Sequence, residues 1–442
     1  MDKRLLDSVD NFSEFLFVDE LDKRLLKLAG KNTVINLGKS AKGHPVLCTR
    51  LGSGKKNALI FGFPHPNEPI GSLTCLSLIK LIKKEKSLQK KYTWYIVPCA
   101  DPDGAKLNEG WFKGKFSVKK YARHFYRSRE TLQTDWSFPI KYKDYAFDNP
   151  PPNVVALVKL MKAIKPDIVY PIHNDGFGGA YFYISRAMPE KYYDCVINLC
   201  NSLSIPLDLG NPNFDEPKFL HLKELKKPVY LNFDFEECYD FYKRLGRDPD
   251  KLLEGGTDSI GFAKKLNPRA FGMLGEVPYL YDPHIVNRSP INMTKRDGLL
   301  HEVKIESQVV DFVRRAIGYK GIKRDSLLYD LLRATVREEK GDLAADRADL
   351  KKSEYKKSET VAEEFSASVL SMFNSALILG ELRRLLLECK KTKERDALVR
   401  RVEKKIDEFV SYVDRHSDYK TIPIRKLVQL QLGLLLISMD YL

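Results

Sequence analysis

Four residues of the chain have the types and the spacing from which a hydrolytic zinc site is built. His65 and Glu68 lie three residues apart, and a second histidine, His173, follows much later in the sequence. Two histidines and one carboxylate are a ligand set of catalytic zinc, which keeps one coordination position for water. Glu276 is a carboxylate within an apolar stretch, where a charge is costly unless it is paired or functional. Together these residues predict a metal-assisted hydrolase in which Glu276 is the general base.

Apolar stretches typical of buried strands lead into three of these residues. They comprise residues 57–63 before His65, residues 167–172 before His173 and residues 271–275 before Glu276. Open α/β sheets bind their ligands outside the carboxyl ends of the strands, so this placement favours one shared site. Prolines flank His65 and Glu68, and they make the turn that carries this pair stiff. A stiff turn suits two metal ligands, because their geometry must be held.

Strand and helix signals alternate from residue 57 to residue 317. This alternation predicts an α/β fold in which helices cover both faces of a mostly parallel sheet. After residue 320 the strand signals stop and the density of charge rises. Residues 325–415 predict two or three long amphipathic helices, and a last helix begins near Ile424. We therefore expect two domains, a catalytic domain of residues 1–320 and an all-α domain of residues 321–442.

Two regions of the expected catalytic domain have no strand-and-helix alternation. Residues 1–30 carry leucines and a phenylalanine at helical spacing, which predicts one amphipathic helix. Residues 101–147 are polar, aromatic and rich in glycine and lysine, which predicts long loops. Long loops in a compact domain are usually functional, so this region is a candidate for substrate contacts.

The composition excludes several classes of protein. Of the 442 residues, 43% are hydrophobic and 30% are charged, as in an ordinary globular protein. No apolar run reaches the roughly 18 residues of a membrane-spanning helix, and the N-terminus lacks the apolar segment of a signal peptide. The net charge of +15 is spread along the chain without a nucleic-acid-binding motif, so we expect no nucleic-acid partner. The same charge leaves an acidic substrate open.

The cysteines indicate a reducing compartment. There are seven of them, scattered along the chain, and no two form a CxxC pair. An odd number without paired spacing is typical of reduced and mostly buried thiols, which predicts a cytoplasmic protein.

Six segments follow one another in a characteristic order: residues 37–45, 65–68, 101–104 and 135–136, then His173 and Glu276. In these motifs and their order, the chain resembles the zinc carboxypeptidases, the carboxypeptidase A-like metallopeptidases, over roughly residues 30–285. His65-Pro66-Asn67-Glu68 is similar to the family's HxxE zinc motif. The other similar segments are residues 37–45 with its opening strand pair, residues 101–104 with its NPDG turn, and Asp135-Trp136 with the end of its NRNW segment. His173 corresponds to the third ligand, and Glu276 to the catalytic glutamate.

The resemblance implies an α/β/α sandwich with a mixed, mostly parallel sheet. It implies one Zn²⁺ ion, held by His65, Glu68 and His173, and hydrolysis of a C-terminal peptide bond or a related amide bond. In this family the zinc ion activates a water molecule and the glutamate transfers its proton. An arginine stabilises the oxyanion, and Arg127 is our candidate, with Arg129 as the alternative. The expected partner is therefore a peptide or a small amide.

One departure from the family concerns the recognition of the substrate. The family's NRNW segment holds the substrate's terminal carboxylate with an Asn-Arg pair, and here the aligned residues are Gln133 and Thr134. Thr134 cannot replace the fork of an arginine. Either Arg127 or Arg129 reaches in from the loop, or the substrate is not a plain C-terminal residue. We expect Arg129, Gln133 and Asp135 to bind substrate.

Asp258 is a further candidate for contact with the substrate. It falls near the family's specificity wall, where it would contact a basic group. The competing interpretation is that Asp258 only caps the helix that follows it.

Two other functions remain open. A deacylase of N-acyl amino acids, similar to aspartoacylase and succinylglutamate desuccinylase, has a comparable motif followed by glycine, which residues 65–71 allow. A binding protein that kept the fold and lost catalysis is the second alternative. The Gly38 segment and the Asp101 turn favour the peptidase.

Overall fold

The computed structural model describes residues 3–208, 224–226, 228–232, 235–244 and 246–442. By its internal contacts the chain forms two compact units. The first comprises Met1–Lys106, Glu130–Tyr279 and Ile422–Leu442, and the second comprises Leu107–Arg129 and Leu280–Thr421. The last helix therefore belongs to the first unit, and residues 280–320 belong to the second. As a statement about independent domains, the division at residue 320 stays a prediction.

A sheet of nine strands forms the centre of the first unit. The strands are β1 (Val34–Lys39), β2 (Pro45–Leu51), β3 (Lys56–Phe61), β4 (Tyr92–Val97), β5 (Ile168–Pro171), β6 (Tyr181–Ile184), β7 (Glu224–Lys226), β8 (Val229–Leu231) and β9 (Phe271–Glu276). Their spatial order is β1-β2-β4-β3-β5-β9-β6-β8-β7. The strands β4, β3, β5 and β9 at its centre are parallel, and antiparallel pairs flank them on both sides. The mixed sheet confirms the predicted fold class.

Helices cover both faces of this sheet, which makes the first unit the predicted sandwich. On one face, Val154, Leu157 and Met161 of the helix Pro152–Ile164 share a core with Leu59 and Val169 of the sheet. The helix Ser259–Leu266 packs into the same core. The other face carries the helices Ile70–Lys84, Glu190–Leu203 and Ile424–Asp440. The first of these is buried on almost every side.

The two irregular regions differ from their predictions. The described part of this region, residues 3–30, forms two helices, Lys3–Asp7 and Val18–Ala29, separated by irregular chain, so the prediction of one helix was wrong. Residues 101–147 contain the helices Pro102–Asn108 and Val118–His124 and a hairpin of Ile140–Tyr142 with Tyr145–Phe147. These elements are short, so each spans too few residues to show a period in the sequence. The remaining helices of the first unit are Lys86–Lys91, Phe235–Arg244 and Pro249–Leu252.

The second unit is mostly helical, as predicted for the C-terminal region. Its long helices are Lys295–Ile317, Leu327–Asp349, Ser371–Glu388 and Lys393–His416. The helix Val361–Phe365 continues through one π-helical turn, Ser366–Leu370, into Ser371–Glu388. Two short antiparallel pairs complete this unit, Leu280–Tyr281 with Lys420–Thr421 and Pro290–Thr294 with Ser358–Thr360.

One helical stretch of the described chain, Val361–Glu388, is long and apolar enough to cross a membrane, judged by length and composition only. From the sequence we expected no membrane-spanning segment, so this stretch was not predicted. However, 67% of its most apolar window is buried inside the protein. Since buried core helices pass the same test, this stretch is weak evidence for a membrane span.

Candidate metal centre and active site

The first two candidate ligands lie on a tight turn between β3 and the helix Ile70–Lys84. Phe63 opens this turn with a positive φ of 53° and a completely buried side chain. A bulky residue in the left-handed region is strained, and such strain concentrates at functional sites. The backbone N–H of Glu68 donates to the carbonyl of His65 at 3.2 Å, which closes the turn. The turn therefore fixes His65 and Glu68 relative to each other before any ligand binds.

The structure brings all three candidate ligands together. The possible ligand atoms of His65, Glu68 and His173 all lie within 4.8 Å of one another, and the three residues are buried. The imidazole centroids of the two histidines are 4.8 Å apart. Nδ1 of His173 lies 3.0 Å from Oε2 of Glu68. Ligand atoms that three buried residues bring this close together fit a shared metal ion.

Asp135 determines which nitrogen of His173 is available. Its Oδ2 lies 2.9 Å from Nε2 of His173, and its Oδ1 accepts from the backbone N–H of Ser259 at 3.0 Å. A neutral imidazole that donates Nε2–H to Asp135 presents the lone pair of Nδ1 to Glu68. Metal-binding histidines commonly donate their second nitrogen to a carboxylate in this way. The residues present therefore fit zinc.

The electrostatics of the buried site point in the same direction. Burial alone would lower the pKa of His173, but the carboxylates of Glu68, Asp135 and Glu276 outweigh burial and raise that pKa well above its ordinary value. So many carboxylates around one imidazole create a field that favours positive charge. A divalent cation satisfies this field while leaving the imidazole neutral.

Glu276 completes the site at the end of β9. Its Oε1 lies 3.8 Å from Nδ1 of His173, and its side chain is 19% exposed, whereas those of Glu68 and His173 are almost completely buried. A carboxylate that faces both the ligand cluster and solvent is placed to exchange protons with a reacting molecule. Burial, and secondarily the charge of Glu276, raise the pKa of the neighbouring Tyr181 and Tyr183 phenols well above their ordinary value.

Residues 133–135, from the segment expected to recognise the substrate, make contacts within the protein. Thr134 is completely buried, and its hydroxyl accepts from the Asn153 side-chain amide at 3.0 Å. Gln133 is buried, and its carbonyl accepts from the Ser137 hydroxyl. Asp135 contacts His173 and Ser259, and its predicted contact with substrate stays a prediction. This segment contributes no cation, in agreement with the departure from the family motif.

Asp258 caps a helix. Its side chain accepts from the backbone N–H of Gly261 in the first turn of Ser259–Leu266, and from the Asn232 amide at 2.7 Å. The capping interpretation therefore has a direct structural basis, and contact with a substrate stays a prediction. Asp258 also lines an apolar cavity of about 140 Å³, together with Trp136, Phe235, Tyr242 and Leu253.

The two arginine candidates belong to the second unit. The backbone N–H of Arg127 donates to the buried Glu381 carboxylate at 3.1 Å. The Arg384 guanidinium donates to the carbonyls of His124 and Phe125, just before it. Arg129 ends the same segment and is half-buried. The roles of Arg127 and Arg129 toward the metal centre stay predictions.

Sequence reasoning missed some residues of the site. The side chain of Asn174 accepts from the backbone N–H of Ile70 at 3.3 Å, and the backbone N–H of Asn174 donates to Glu68 Oε2 at 3.4 Å. Its position directly after His173 was the available signal. Gln431 of the last helix donates to the carbonyl of His173, and no local pattern marks it.

Two motif segments of the resemblance bind each other. The Asp103 carboxylate accepts from the hydroxyl of Ser40 at 2.6 Å and from the backbone N–H of Lys42 at 2.9 Å. Asp101 accepts from the N–H of Gly104, and burial raises the pKa of Asp101 to about 7. These segments are therefore structural supports rather than parts of the ligand set.

Several solved structures are similar to this chain. A candidate metallopeptidase from Shewanella amazonensis SB2B has 14% identity and a TM-score of 0.41, over 59% of this chain and 84% of that one. A carboxypeptidase A from Helicoverpa armigera has 13% identity and a TM-score of 0.38, over 63% and 70%. A murein-tripeptide amidase from Escherichia coli O157 has 16% identity and a TM-score of 0.29, over 55% and 82%. Such low scores add no argument about function.

A comparison with curated proteins finds no match. A comparison with family models finds one, described as zinc carboxypeptidase, over residues 22–183. This span is less than half of the chain, but it contains His65, Glu68, Asp135 and His173. Glu276 lies outside it. The family model therefore confirms, over residues 22–183, the resemblance to the zinc carboxypeptidases that the motifs predicted.

Proposed function

We propose that this protein is a zinc-dependent hydrolase of peptide or related amide bonds. The observation that carries the proposal is the arrangement of carboxylates around His173. Nδ1 of His173 lies close to Glu68, Nε2 contacts Asp135, and Glu276 lies beside the ring on the Nδ1 side. His65, Glu68 and His173 would hold one ion. When bound there, zinc would polarise the amide carbonyl and acidify a water molecule.

The chain's own residues supply the remaining chemistry. Glu276 takes a proton from the attacking water and passes it to the nitrogen of the leaving amine. Its partial exposure allows this exchange, and its strand holds it against the ligand cluster. Asp135 keeps His173 in one tautomer and orientation throughout. Arg127 is our candidate for stabilising negative charge on the carbonyl oxygen, with Arg129 as the alternative.

We infer a substrate whose recognition differs from that of an ordinary carboxypeptidase. Thr134 stands where the family has an arginine, and its hydroxyl already contacts Asn153. Binding of a terminal carboxylate would therefore need Arg127 or Arg129. A substrate without a terminal carboxylate would need neither arginine. The net charge of +15 favours an acidic substrate, whether it is a peptide or another amide. We also propose a reducing, cytoplasmic location, supported by seven free cysteines of which six are buried.

The Glu276→Gln variant tests the proposal, because it keeps the size of the side chain and removes the base. We expect unchanged zinc content and a loss of turnover of about 10²–10⁴-fold. The assay compares free-acid peptides, C-terminally amidated peptides and N-acyl amino acids. Preference for the last class would identify the deacylase alternative.

The matched control is Glu359→Gln, which neutralises a buried carboxylate of the second unit. It should leave turnover unchanged. Near-normal turnover in Glu276→Gln would show that the base lies elsewhere, and zinc binding without turnover of any substrate class would indicate the binding protein.

A further inference from the structure

The two strands that carry His173 and Glu276 separate before they reach these residues. β5 and β9 pair in parallel only at Ile168 with Phe271 and at Val169 with Gly272. From Met273 onward, β9 pairs with β6 on its other side. The ladder between β5 and β9 therefore does not extend to the ends at which the third candidate ligand and the candidate base lie. The two chains are joined again just beyond these ends, where the backbone N–H of Asp175 donates to the carbonyl of Val277 at 3.0 Å. His173 and Glu276 therefore lie in a gap between two backbone contacts.

The side chain of Gln431 occupies this position. It comes from the last helix, Ile424–Asp440, and it is completely buried. Its Nε2 donates to the carbonyl of His173 at 2.5 Å and to the carbonyl of Gly275 at 2.8 Å. One amide group thus joins the backbone of the third ligand to the residue immediately before the base.

The hydrogen bonding of Gln431 is complete. A primary amide has two N–H donors and one acceptor oxygen. Both donors are used by the two carbonyls, and the oxygen accepts from the hydroxyl of Tyr170, a β5 residue. A β-carbon at Gly275 would lie 3.0 Å from the Gln431 oxygen and 3.1 Å from the Phe182 ring, so the contact is tight on that side. A fully satisfied buried polar network specifies one arrangement of its members.

We propose that Gln431 is a positioning residue, which sets the spacing between His173 and Glu276 and makes the last helix part of the active unit. The inference rests on the proposed zinc site. Without the amide, two buried carbonyls lose their donors, and the gap that contains His173 and Glu276 loses the side chain that bridges it. Zinc affinity should then fall, and Glu276 should shift relative to the ligands in the same variant.

Two variants test this inference, and each has a matched control. Gln431→Met removes the amide at similar volume. Its control is Gln429→Met, since Gln429 is also buried but donates to the carbonyl of Leu6. Tyr170→Phe is the milder variant in case Gln431→Met folds poorly. Its control is Tyr192→Phe, since the buried Tyr192 hydroxyl contacts Ser438 of the last helix.

The measurements are the zinc dissociation constant by chelator competition, the absorption spectrum of the Co²⁺-substituted protein, and the midpoint of thermal unfolding. We expect Gln431→Met to weaken zinc binding about 10–100-fold, as other supports of metal ligands do, and to change the cobalt spectrum. Tyr170→Phe should do the same to a smaller extent. Both controls should keep the affinity and spectrum of the natural protein, whatever they lose in stability.

The outcomes separate this inference from the function on which it rests. Natural affinity and spectrum in both Gln431→Met and Tyr170→Phe would overturn the positioning role alone. Equal losses in variants and controls would also overturn it, because the effect would then be general packing. A natural protein that binds no zinc would overturn the proposed function and this inference with it.

Discussion

At the scale of single residues, the site depends on which nitrogen of His173 carries the proton. Asp135 holds Nε2, so Nδ1 faces Glu68. We predict that Asp135→Ala weakens zinc binding about 10–100-fold, because the imidazole loses the partner that fixes its orientation. The measurement is the zinc dissociation constant.

Asp258→Ala provides the control for this prediction. It removes a nearby carboxylate that caps a helix, which should cost about 1 kcal/mol of stability and leave zinc affinity unchanged. If Asp135→Ala bound zinc as tightly as the natural protein, Asp135 would not be a support of the ligand.

The sequence predicted the residues of the metal centre better than their contacts. His65, Glu68 and His173 were predicted as a set from residue type and strand ends, and the structure brings them together. Their role as zinc ligands stays a prediction. Asp135 was expected to contact substrate, and its contact with His173 was not predicted, because this contact joins segments far apart in the chain. No spacing rule reports such a pairing.

At the scale of elements, the second unit depends on a close approach of two helices. A β-carbon at Gly380, in the helix Ser371–Glu388, would overlap the carbonyl oxygen of Ala122 in Val118–His124. We predict that Gly380→Ala lowers the free energy of unfolding by about 1–3 kcal/mol, because backbone must shift to admit the methyl group. Urea denaturation measures the change.

Gly341→Ala is the matched control, because Gly341 is exposed in the helix Leu327–Asp349 and has nothing within 4 Å of an added β-carbon. It should raise stability by about 0.5–1 kcal/mol through helix propensity. If both variants were equally stable, the two helices would not pack as closely as described.

Long elements were predictable from the sequence, and short ones were not. The strands that lead into the site are continuous apolar runs, and the helix Ile70–Lys84 shows a clear helical period. Residues 101–147 were predicted as loops, yet they hold short helices that depend on distant side chains. Asn108, for example, bonds both the N–H and the carbonyl of Tyr126. Tertiary contacts of this kind leave no periodic pattern.

At the scale of the whole molecule, the pH dependence of stability should report a buried acid. Burial raises the pKa of Glu381 from 4.5 to about 8, although the Arg127 N–H and the Arg384 charge oppose the shift. The folded state therefore keeps this proton while the unfolded state loses it. Stability falls as pH rises from about 4.5 to about 8, and the full penalty is present above that range.

We predict that Glu381→Gln is more stable than the natural protein at pH 8, on the order of 2–4 kcal/mol, and nearly equal to it at pH 4.5. The glutamine keeps an acceptor for the Arg127 N–H and carries no titrating group. Urea denaturation at both pH values measures the difference. An equal difference at both values would mean that folding does not raise the pKa of Glu381.

The path of the chain was the least predictable feature of the molecule. Composition after residue 320 correctly indicated helices, but it does not report which unit a helix joins. The last helix, Ile424–Asp440, belongs to the first unit, where nearly all of its residues are buried. Its apolar residues show no preference for one core, and its place depends on contacts of buried polar residues such as Gln431 and Gln429 with distant parts of the chain.

The central claim is that His65, Glu68 and His173 hold one zinc ion. The most direct measurement is the number of zinc ions per chain, determined by mass spectrometry of metals in the purified natural protein and in His173→Ala. The account predicts one ion per chain in the natural protein and a large loss in the variant, with both chains folded by circular dichroism. Full zinc occupancy in folded His173→Ala, or none in the natural protein, would contradict it.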